Sequence, residues 1–481
     1  MKISLVQPNL DKKHENQRQA YYGSQIRTPE TGLAVLSSWI HDYSIKNHSV
    51  TVLNPNLGIE DLVEQSVEAD LLGITDWFSN HDNSTKLARK VKRRNPDVKI
   101  VFGGPNASMI PVEILTTHDY IDFVVARDGE DALLALIEGK PIEEVPNLWY
   151  RTGRGVEFTY GKVTDLTKIP LWDFADFQNA NVRLSEYLSA QNTQLDPWIV
   201  PPLALFSFRG CIKSEKEGKC SYCTSSEDIG RALPPEKLWQ QIAYLNKLYD
   251  AQIFYMADDI FTVSPERVES IAQTKPNEAK SKIRAYGYLP DMAKLEQPEL
   301  EEMAKNLQKI GVFNLFFGSE HYDPDVLSRM NKRGVSVEET ARVIKNIHEA
   351  GGIKTTIAYL LGLPGESKQS LEKNYASLVH LLGVDDCIER LYISMGAPLR
   401  GTPWFKDLVT NRDIRREYHA FTGKALPTDD SPEYGLLSKL SIKYTTSTTF
   451  GEVKDYIEKM IGCAGQRIPE HRIGGFLLEL D

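Results

Sequence analysis

The chain has 481 residues, too many for one compact core, and is expected to divide into two or three domains. Acids outnumber bases, 66 to 56, and the formal charge of −10 argues against nucleic acid or an anionic membrane surface as a partner. Five cysteines, three of them clustered, make no disulfide framework; the apolar start Ile3–Val6 is too short for a signal peptide, and no later run reaches membrane-spanning length, so a cytoplasmic protein is expected.

From residue 1 to about 145, strand and helix patterns alternate. Strands are expected at Ile3–Val6, Ser49–Leu53, Leu71–Thr75, Lys99–Phe102 and Phe123–Val125, with helices at Thr31–Tyr43, Ile59–Glu68, Ser84–Asn95 and Asp131–Glu138. In the first helix Leu33, Leu36 and Ile40 fall at helical spacing. Such alternation predicts right-handed crossovers and a doubly wound parallel sheet, which binds ligands at the carboxyl ends of its strands. The loops there read Thr75-Asp76-Trp77-Phe78-Ser79-Asn80, Gly103-Gly104-Pro105-Asn106-Ala107-Ser108 and Arg127-Asp128-Gly129-Glu130. Paired glycines suggest a backbone lying against something flat or bulky. The absence of G-x-G-x-x-G spacing makes a nicotinamide or flavin site a poor reading. His81, between Asn80 and Asp82, reads as a solvated turn residue.

Residues 146–200 read as a connection, with a hairpin about Gly153 and Gly155 and an aromatic crossing, Ile169-Pro170-Leu171-Trp172-Asp173, expected to pack one domain on the other. Pro197, Pro201 and Pro202 punctuate the boundary. Six βα units follow, with strands at Leu203–Phe208, Ile253–Met256, Lys282–Tyr286, Asn314–Phe317, Lys354–Leu361 and Arg390–Ser394. Helices are expected at Pro235–Tyr249, Pro265–Thr274, Pro298–Ile310, Val337–Ala350 and Ser367–Leu382, two of them with proline in the first turn. Six parallel units fit three-quarters of a (β/α)8 barrel. Residues 401–481 form a small helical tail, expected to cap the substrate opening.

On the loop after the first barrel strand stand Cys211, Cys220 and Cys223, with gaps of eight and two residues. Three thiolates can hold an iron–sulfur cube by three irons and leave the fourth open, and an open position separates a catalytic metal site from a structural one. The charged insert Ile212–Lys219 reads as a solvent-exposed bulge. A zinc knuckle closed by Cys387 or Cys463 is the competing reading, although both are most simply buried apolar residues.

Through Arg209-Gly210-Cys211, Cys220-Ser221-Tyr222-Cys223-Thr224, the Met256–Thr262 run and Gly362-Leu363-Pro364-Gly365-Glu366, the chain resembles the radical S-adenosylmethionine (SAM) superfamily, whose usual first gap is three residues rather than eight. The Gln7-Pro8-Asn9 start, Thr31-Gly32-Leu33, the GGPNAS loop and Gly129-Glu130 resemble the cobalamin-binding domain that precedes many such cores. The resemblance implies a Rossmann-like cobalamin-binding domain (1–145), a linker (146–200), a partial (β/α)6 TIM-like barrel (201–400) and a C-terminal cap (401–481). It implies that Cys211, Cys220 and Cys223 hold a 4Fe-4S cluster. SAM would be bound by Tyr222 beside adenine, Asp258 and Asp259 at the amino group, Ser319 and Glu320 at ribose or carboxylate, and Gly362 in the adenine loop. Cobalamin would rest on Asn9, Thr75, Trp77, Gly103, Gly104, Pro105, Asn106, Gly129 and Glu130. The Asp-x-His-x-x-Gly signature of cobalt ligation is absent, so a non-ligating residue is expected at the cobalt's lower face. Arg284, Tyr286 and Tyr392 are candidates for the substrate side, although barrel tyrosines often only pack. A helix cap would explain one of the paired aspartates, and Glu366 could be a first-turn acid.

The implied activity is reductive cleavage of SAM and radical modification of a small molecule or peptide, C-methylation foremost, with an external flavodoxin- or ferredoxin-like electron donor. Non-methylating rearrangement or cyclisation, and a non-catalytic cobalamin- or zinc-binding protein, are the alternatives. No cysteine precedes Cys211, which sets methylthiolation aside.

Overall fold

The computed structural model describes residues 1–10, 30–178, 202–225, 229–427 and 432–475. Pro197 and Pro201 lie outside the described residues. Within them, strands assemble into two seven-stranded sheets and one two-stranded ribbon.

In the first sheet β1 (Lys2–Val6), β2 (Ser49–Val52), β3 (Leu71–Thr75), β4 (Lys99–Gly103) and β5 (Phe123–Val125) run parallel in the order β2-β1-β3-β4-β5. The expected hairpin, β6 (Leu148–Thr152) and β7 (Gly155–Thr159), extends this sheet antiparallel beyond β5. Both faces of the sheet are covered. Ile3, Leu5 and Val101 pack against the helices Thr31–Tyr43 and Glu130–Glu138, while Leu72, Ile74 and Phe102 pack against Ile59–Ser66 and His81–Arg94. Two-sided burial is why these strands read as unbroken apolar runs. Strand order reverses between β1 and β3, the switch point at which such sheets open a ligand crevice. The loops on either side of it are fastened together: the Asn80 side-chain amide donates to Pro8 O (3.1 Å) and that of Asn83 to Asn9 O (3.1 Å).

The second sheet is parallel throughout, its strands running against chain order from Ile473–Gly474 at one edge to Leu203–Leu205 at the other. Its members are β8 (Leu203–Leu205), β11 (Ile253–Met256), β12 (Lys282–Gly287), β13 (Val312–Glu320), β14 (Lys354–Leu361), β15 (Ile388–Met395) and β16 (Ile473–Gly474). Among the described residues β8 and β16 are end strands, so the barrel stays open. Two residues are too few to show a period, which is why β16 escapes sequence reading. It lies so close to β15 that a Cβ on the next residue, Gly475, would fall 1.9 Å from Ile393 O.

The outer helices follow expectation: Pro235–Tyr249, Pro265–Gln273, Gln297–Ile310, Val337–Gly351 and Lys368–Leu382. The fourth starts on a reciprocal Ser336/Glu339 cap and the third ends at Gly311 in the left-handed region (φ 105°). In the tail, the helix Phe450–Ala464 buries Val453, Ile457 and Met460 in the barrel's own core, beside Leu371 and Leu378 of Lys368–Leu382. It extends the barrel wall.

One core runs through both halves, from Ile3 and Leu5 by way of Leu166, Ile169 and Trp172 to Leu205 and Trp239. Trp172 stacks flat on Phe206, with ring centroids 5.1 Å apart and planes 5° apart. Gln241 brackets Trp172, accepting from its N–H (3.0 Å) and donating to its carbonyl (2.8 Å). The aromatic crossing thus packs the halves together, as its composition suggests. The insert between the first two cysteines differs from expectation. It is a helix, Ile212–Glu217, with Ile212 and Lys213 buried. Ile212 joins Phe208, Ile260 and Tyr288 in a small apolar cluster, and the Lys213 ammonium donates to Gly218 O (2.7 Å) and to Asn331 O. Its charge masked one apolar anchor and one lysine that serves as a tie.

Candidate active site

Cys211 leaves a short ribbon, β9 (Phe208–Arg209) paired antiparallel with β10 (Arg231–Ala232). Between them stands Gly210 at φ 91°; a Cβ there would lie 2.2 Å from Ile229 O, so only glycine lets the chain pass. Cys220 and Cys223 share a tight turn in which the Cys223 N–H donates to Cys220 O (3.0 Å). Ser221 is held from both sides, donating to Met330 O (2.8 Å) and accepting from Trp404 N–H (2.9 Å). All three thiols are partly exposed at the barrel mouth.

Burial pushes the Cys211 thiol up, with the nearby Asp259 and Cys220 adding to the effect, and pushes Cys223 up to about 11. Both are protonated thiols until a cation displaces the proton. Among the described residues no three His, Cys, Asp or Glu side chains converge as ligands of one metal ion. Cys387 lies at the amino end of β15 and Cys463 near the end of the helix leading to β16, at the edge of the barrel opposite the cysteine loop. Neither can close a zinc knuckle there. Cys211, Cys220 and Cys223 stand on one loop with no fourth cysteine on it, a donor set whose chemistry fits a cube with one open corner.

The strand-end residues divide into those that build the mouth and those that face it. Asp258 is fully buried: Oδ1 accepts from the N–H groups of Ser207 (2.7 Å) and Phe208 (3.1 Å), and Oδ2 from the Ser207 hydroxyl (2.6 Å). It fixes the start of the cysteine loop, and burial raises its carboxyl to about 6. Asp259 accepts from the Ser225 hydroxyl (2.9 Å) and is the carboxylate near Cys211 and Cys223. Ser319 and Glu320 end β13, where the ladder slips between Gly318 and Glu320 and Glu320 adopts φ 64°. A non-glycine residue held left-handed at a strand end marks a constrained site. The Tyr222 hydroxyl faces Glu320, and burial above all raises both groups, with Lys332 partly offsetting the effect on Glu320.

Gly362 (φ 81°) donates its N–H to Glu366 Oε2 (2.8 Å), and Glu366 Oε1 meets His321 Nε2 at 3.1 Å. His321 Nδ1 accepts from the Asp323 N–H (2.9 Å). Glu366 precedes the N-cap Ser367 and is wholly buried, so it latches two mouth loops together and is not a first-turn acid. Arg284 and Tyr286 on β12 and Tyr392 on β15 share an inward face. Tyr255, Tyr286, Phe316 and Tyr392 run ring to ring across it at 5.8, 4.8 and 5.6 Å, with the Arg390 guanidinium 4.9 Å from the Tyr392 ring.

The carboxyl edge of the first sheet faces the same mouth. Trp77, Pro105 and Asn106 on one side, and Thr224 and Arg400 on the other, line a single narrow gap. Thr224 is next to Cys223, so the GGPNAS loop and the cysteine loop meet across it. Trp77 is 38% exposed, unusual for a tryptophan at a sheet edge. Thr75 is half-buried at the end of β3, Asn9 partly buried after β1. Gly104 sits at φ 95°, and a Cβ would stand 3.0 Å from Asp76 O, so the loop's own approach to β3 demands this glycine. The neighbouring Gly103 has ordinary clearance. Gly129 lies against Leu36, where a Cβ would come to 3.2 Å. Glu130 Oε1 accepts from Arg209 Nη2 (2.7 Å), while its Oε2 is buried with no hydrogen-bond partner among the described residues.

His81 is not a solvated turn residue. It opens the helix His81–Arg94, is 2% exposed, and holds Nδ1 3.0 Å from Asp76 Oδ1, an oxygen pair that also receives the Asn106 amide (2.7 Å to Oδ2). Burial works against its protonation, but Asp76 outweighs it and the pKa rises. Its polar neighbours suggested solvent; they are themselves folded inward, Asn80 being buried. The Nε2 atom is buried without a partner among the described residues. An exposed aromatic face and orphaned polar atoms at a topological switch point fit a bulky ligand resting on this edge. Sequence reading gave no role to Ser225, Lys332 or Arg400, which carry no spacing signal of their own; Thr224, quoted within the cysteine motif, lines the gap.

Comparison with known proteins agrees with this geometry. The B12 binding domain model matches residues 27–137 and the Radical SAM superfamily model residues 208–378. PH0819 of Pyrococcus horikoshii, described as an uncharacterized methyltransferase, is 22% identical over 402 residues, covering 80% of this chain and 79% of that protein. The cobalamin-dependent radical SAM methyltransferase TokK of Streptomyces tokunonensis is 23% identical over 361 residues, covering 71% of this chain; the chain spans 49% of TokK's length. The structure of the radical SAM methyltransferase TsrM from Kitasatospora setae, with cobalamin and a [4Fe-4S] cluster bound, superposes with a TM-score of 0.68 at 16% identity, covering 97% of this chain and 92% of that one. At that identity the likeness establishes the fold. With both family domains in one chain, and a three-thiol loop facing the edge of the B12 binding sheet, the protein belongs to the radical SAM superfamily as a cobalamin-dependent enzyme using a 4Fe-4S cluster and SAM.

Proposed function

We propose that the protein is a methyltransferase that places a methyl group on an unactivated carbon of a small-molecule or peptide substrate. The observation that supports this reading is the gap lined by Trp77, Pro105 and Asn106 and, from the cysteine loop, by Thr224: the corrinoid and the cluster proposed here would meet across it. TokK, similar in sequence, and TsrM, similar in fold, are both named methyltransferases. When bound, the cofactors supply reductive SAM cleavage to a 5′-deoxyadenosyl radical and a transferable methyl group.

The chain's residues hold and orient. Cys211, Cys220 and Cys223 ligate three irons. Asp259 receives the SAM amino group, Glu320 and Ser319 face its ribose or carboxylate, and Tyr222 and Gly362 flank adenine. Asp258 and Glu366 keep those loops in place from behind. Lys332, opposite Glu320, balances its charge. Asn9, Thr75, Trp77, Gly103, Gly104, Pro105 and Asn106 form the corrin's bed, with Gly129 and the open Oε2 of Glu130 at its side. Trp77 would pack its exposed ring against the corrin. Arg284, Tyr286 and Tyr392 look into the barrel, where a substrate would present its carbon. Electrons come from a flavodoxin- or ferredoxin-like donor. Free thiols at a half-exposed site favour the reducing cytoplasm; among the described residues no helix is long and apolar enough to cross a membrane.

The test is mass analysis of substrate fractions incubated anaerobically with reductant and SAM carrying a trideuterated methyl group. Incorporation of the label into a product is expected. A product altered without the label would instead assign a rearrangement or cyclisation on the same scaffold.

A further inference from the structure

The first-domain loop Arg127–Glu130 does more than border the corrinoid edge. Asp128 and Glu130 reach into the barrel half and grip the ribbon that ends in Cys211. Arg209 Nη1 donates to Asp128 Oδ1 (2.8 Å) and Nη2 to Glu130 Oε1 (2.7 Å). Arg231 donates from Nη1 to Asp128 Oδ2 (2.6 Å) and to Thr164 O (2.9 Å), and from Nη2 to Asp128 Oδ1 (3.2 Å). Asp128 Oδ2 also receives the Thr164 N–H (2.9 Å). The carboxylates are almost wholly buried, and both guanidinium groups largely so.

Arg209 and Arg231 are cross-strand partners, directly opposite each other in the two-stranded ribbon. Like charges in that position repel, and Asp128 and Glu130 of the first domain lie within ion-pair distance: Asp128 of both arginines, Glu130 of Arg209. The Arg209 guanidinium lies 4.5 Å over the Phe206 ring, which is stacked on Trp172, so the clamp continues the aromatic joint between the halves. Gly210, with no room for even a Cβ beside Ile229 O, is the single residue between Arg209 and Cys211.

We infer that Arg209 and Arg231, held by Asp128 and Glu130, are positioning residues: docking of the first domain and placement of the first cluster cysteine are one equilibrium. The clamp thereby fixes the cluster at a set distance from the corrinoid edge. This goes beyond the proposed methyl transfer and holds whichever reaction follows.

The test begins with the full-length protein free of cofactors. Glu130→Gln removes one charge-assisted hydrogen bond from a buried fork, which shifts the local opening equilibrium roughly tenfold. Alkylation mapped by mass spectrometry is expected to accelerate by about that factor at Cys211, with Cys223 as the internal standard. Arg209→Lys, which keeps the charge but loses the fork, should fall between parent and Arg209→Gln. In protein loaded with cluster and cob(II)alamin, the dipolar distance distribution between the two centres should broaden in Arg209→Gln and recover partly in Arg209→Lys. Equal Cys211 alkylation in the parent and Glu130→Gln overturns the inference, as does an unchanged distance distribution in Arg209→Gln. Equal acceleration at Cys211 and Cys223 also overturns it, since that is general loosening.

Discussion

Asp258 and Asp259 show how two adjacent carboxylates acquire different tasks from their surroundings. Asp258, fully buried, accepts three hydrogen bonds from residues 207 and 208, whereas Asp259 bonds a serine hydroxyl beside the cysteines. Asp258→Asn turns an acceptor into a donor facing donors and is expected to destabilise the barrel by about 1–3 kcal/mol. The pH dependence of that loss has a definite sign. The folded carboxyl titrates at about 6, above the roughly 3.9 of an unfolded aspartate. Its contribution is therefore fully present below the unfolded value and fades as pH rises through 6. Thermal unfolding of parent and variant should show a deficit that shrinks between about pH 4 and pH 6.5; a constant or growing deficit contradicts the assignment. The sequence showed that this pair stood at a strand end, but not which member was buried. That depends on where the ribbon folds back, a relation between residues 51 positions apart.

The insert Ile212–Glu217 is the element that departs most from the usual spacing, and the structure gives it a purpose. Its buried Lys213 ties the carbonyls of Gly218 and Asn331, and the Asn331 amide returns to Lys219 O (2.9 Å). The extra residues are thus braced against the end of the helix Pro324–Arg329, and the loop is no looser for being longer. Lys213→Met should lower the iron retained after anaerobic reconstitution severalfold, because the Gly218 and Asn331 carbonyls lose the charged donor that ties them together, at about 1 kcal/mol each. Iron-to-protein ratios after gel filtration measure this, and unchanged retention would show the brace to be idle. Composition concealed the element: six residues with four charges look solvated, and only packing distinguishes the buried lysine from its neighbours. The outer helices, by contrast, were legible almost to the residue, because prolines and glycines mark their ends and a barrel helix buries one unbroken stripe.

At the scale of the molecule, two α/β layers face each other by their carboxyl edges, and nearly everything chemical lies between them. The alternation of patterns predicted a parallel sheet in each layer; the order of strands within the sheets is set by the fold. The joint was only partly legible. The Trp172–Phe206 stack was foreshadowed by an aromatic crossing, but the Asp128–Arg209 bridge joins residues 81 positions apart, and no period or spacing announces it. The same holds for His81, whose inward orientation follows from Asp76 and Asn106 closing over it. Motifs placed the three cysteines; topology placed what faces them.

The account rests on a three-thiolate cluster that cleaves SAM beside a bound corrinoid. The most direct measurement is 5′-deoxyadenosine released by anaerobically reconstituted protein given reductant and SAM, in the parent and in Cys220→Ala. The account predicts steady formation by the parent, and release at background in the variant while its corrinoid content is unchanged. Undiminished release by Cys220→Ala, or none from a parent carrying its full complement of iron, would contradict it.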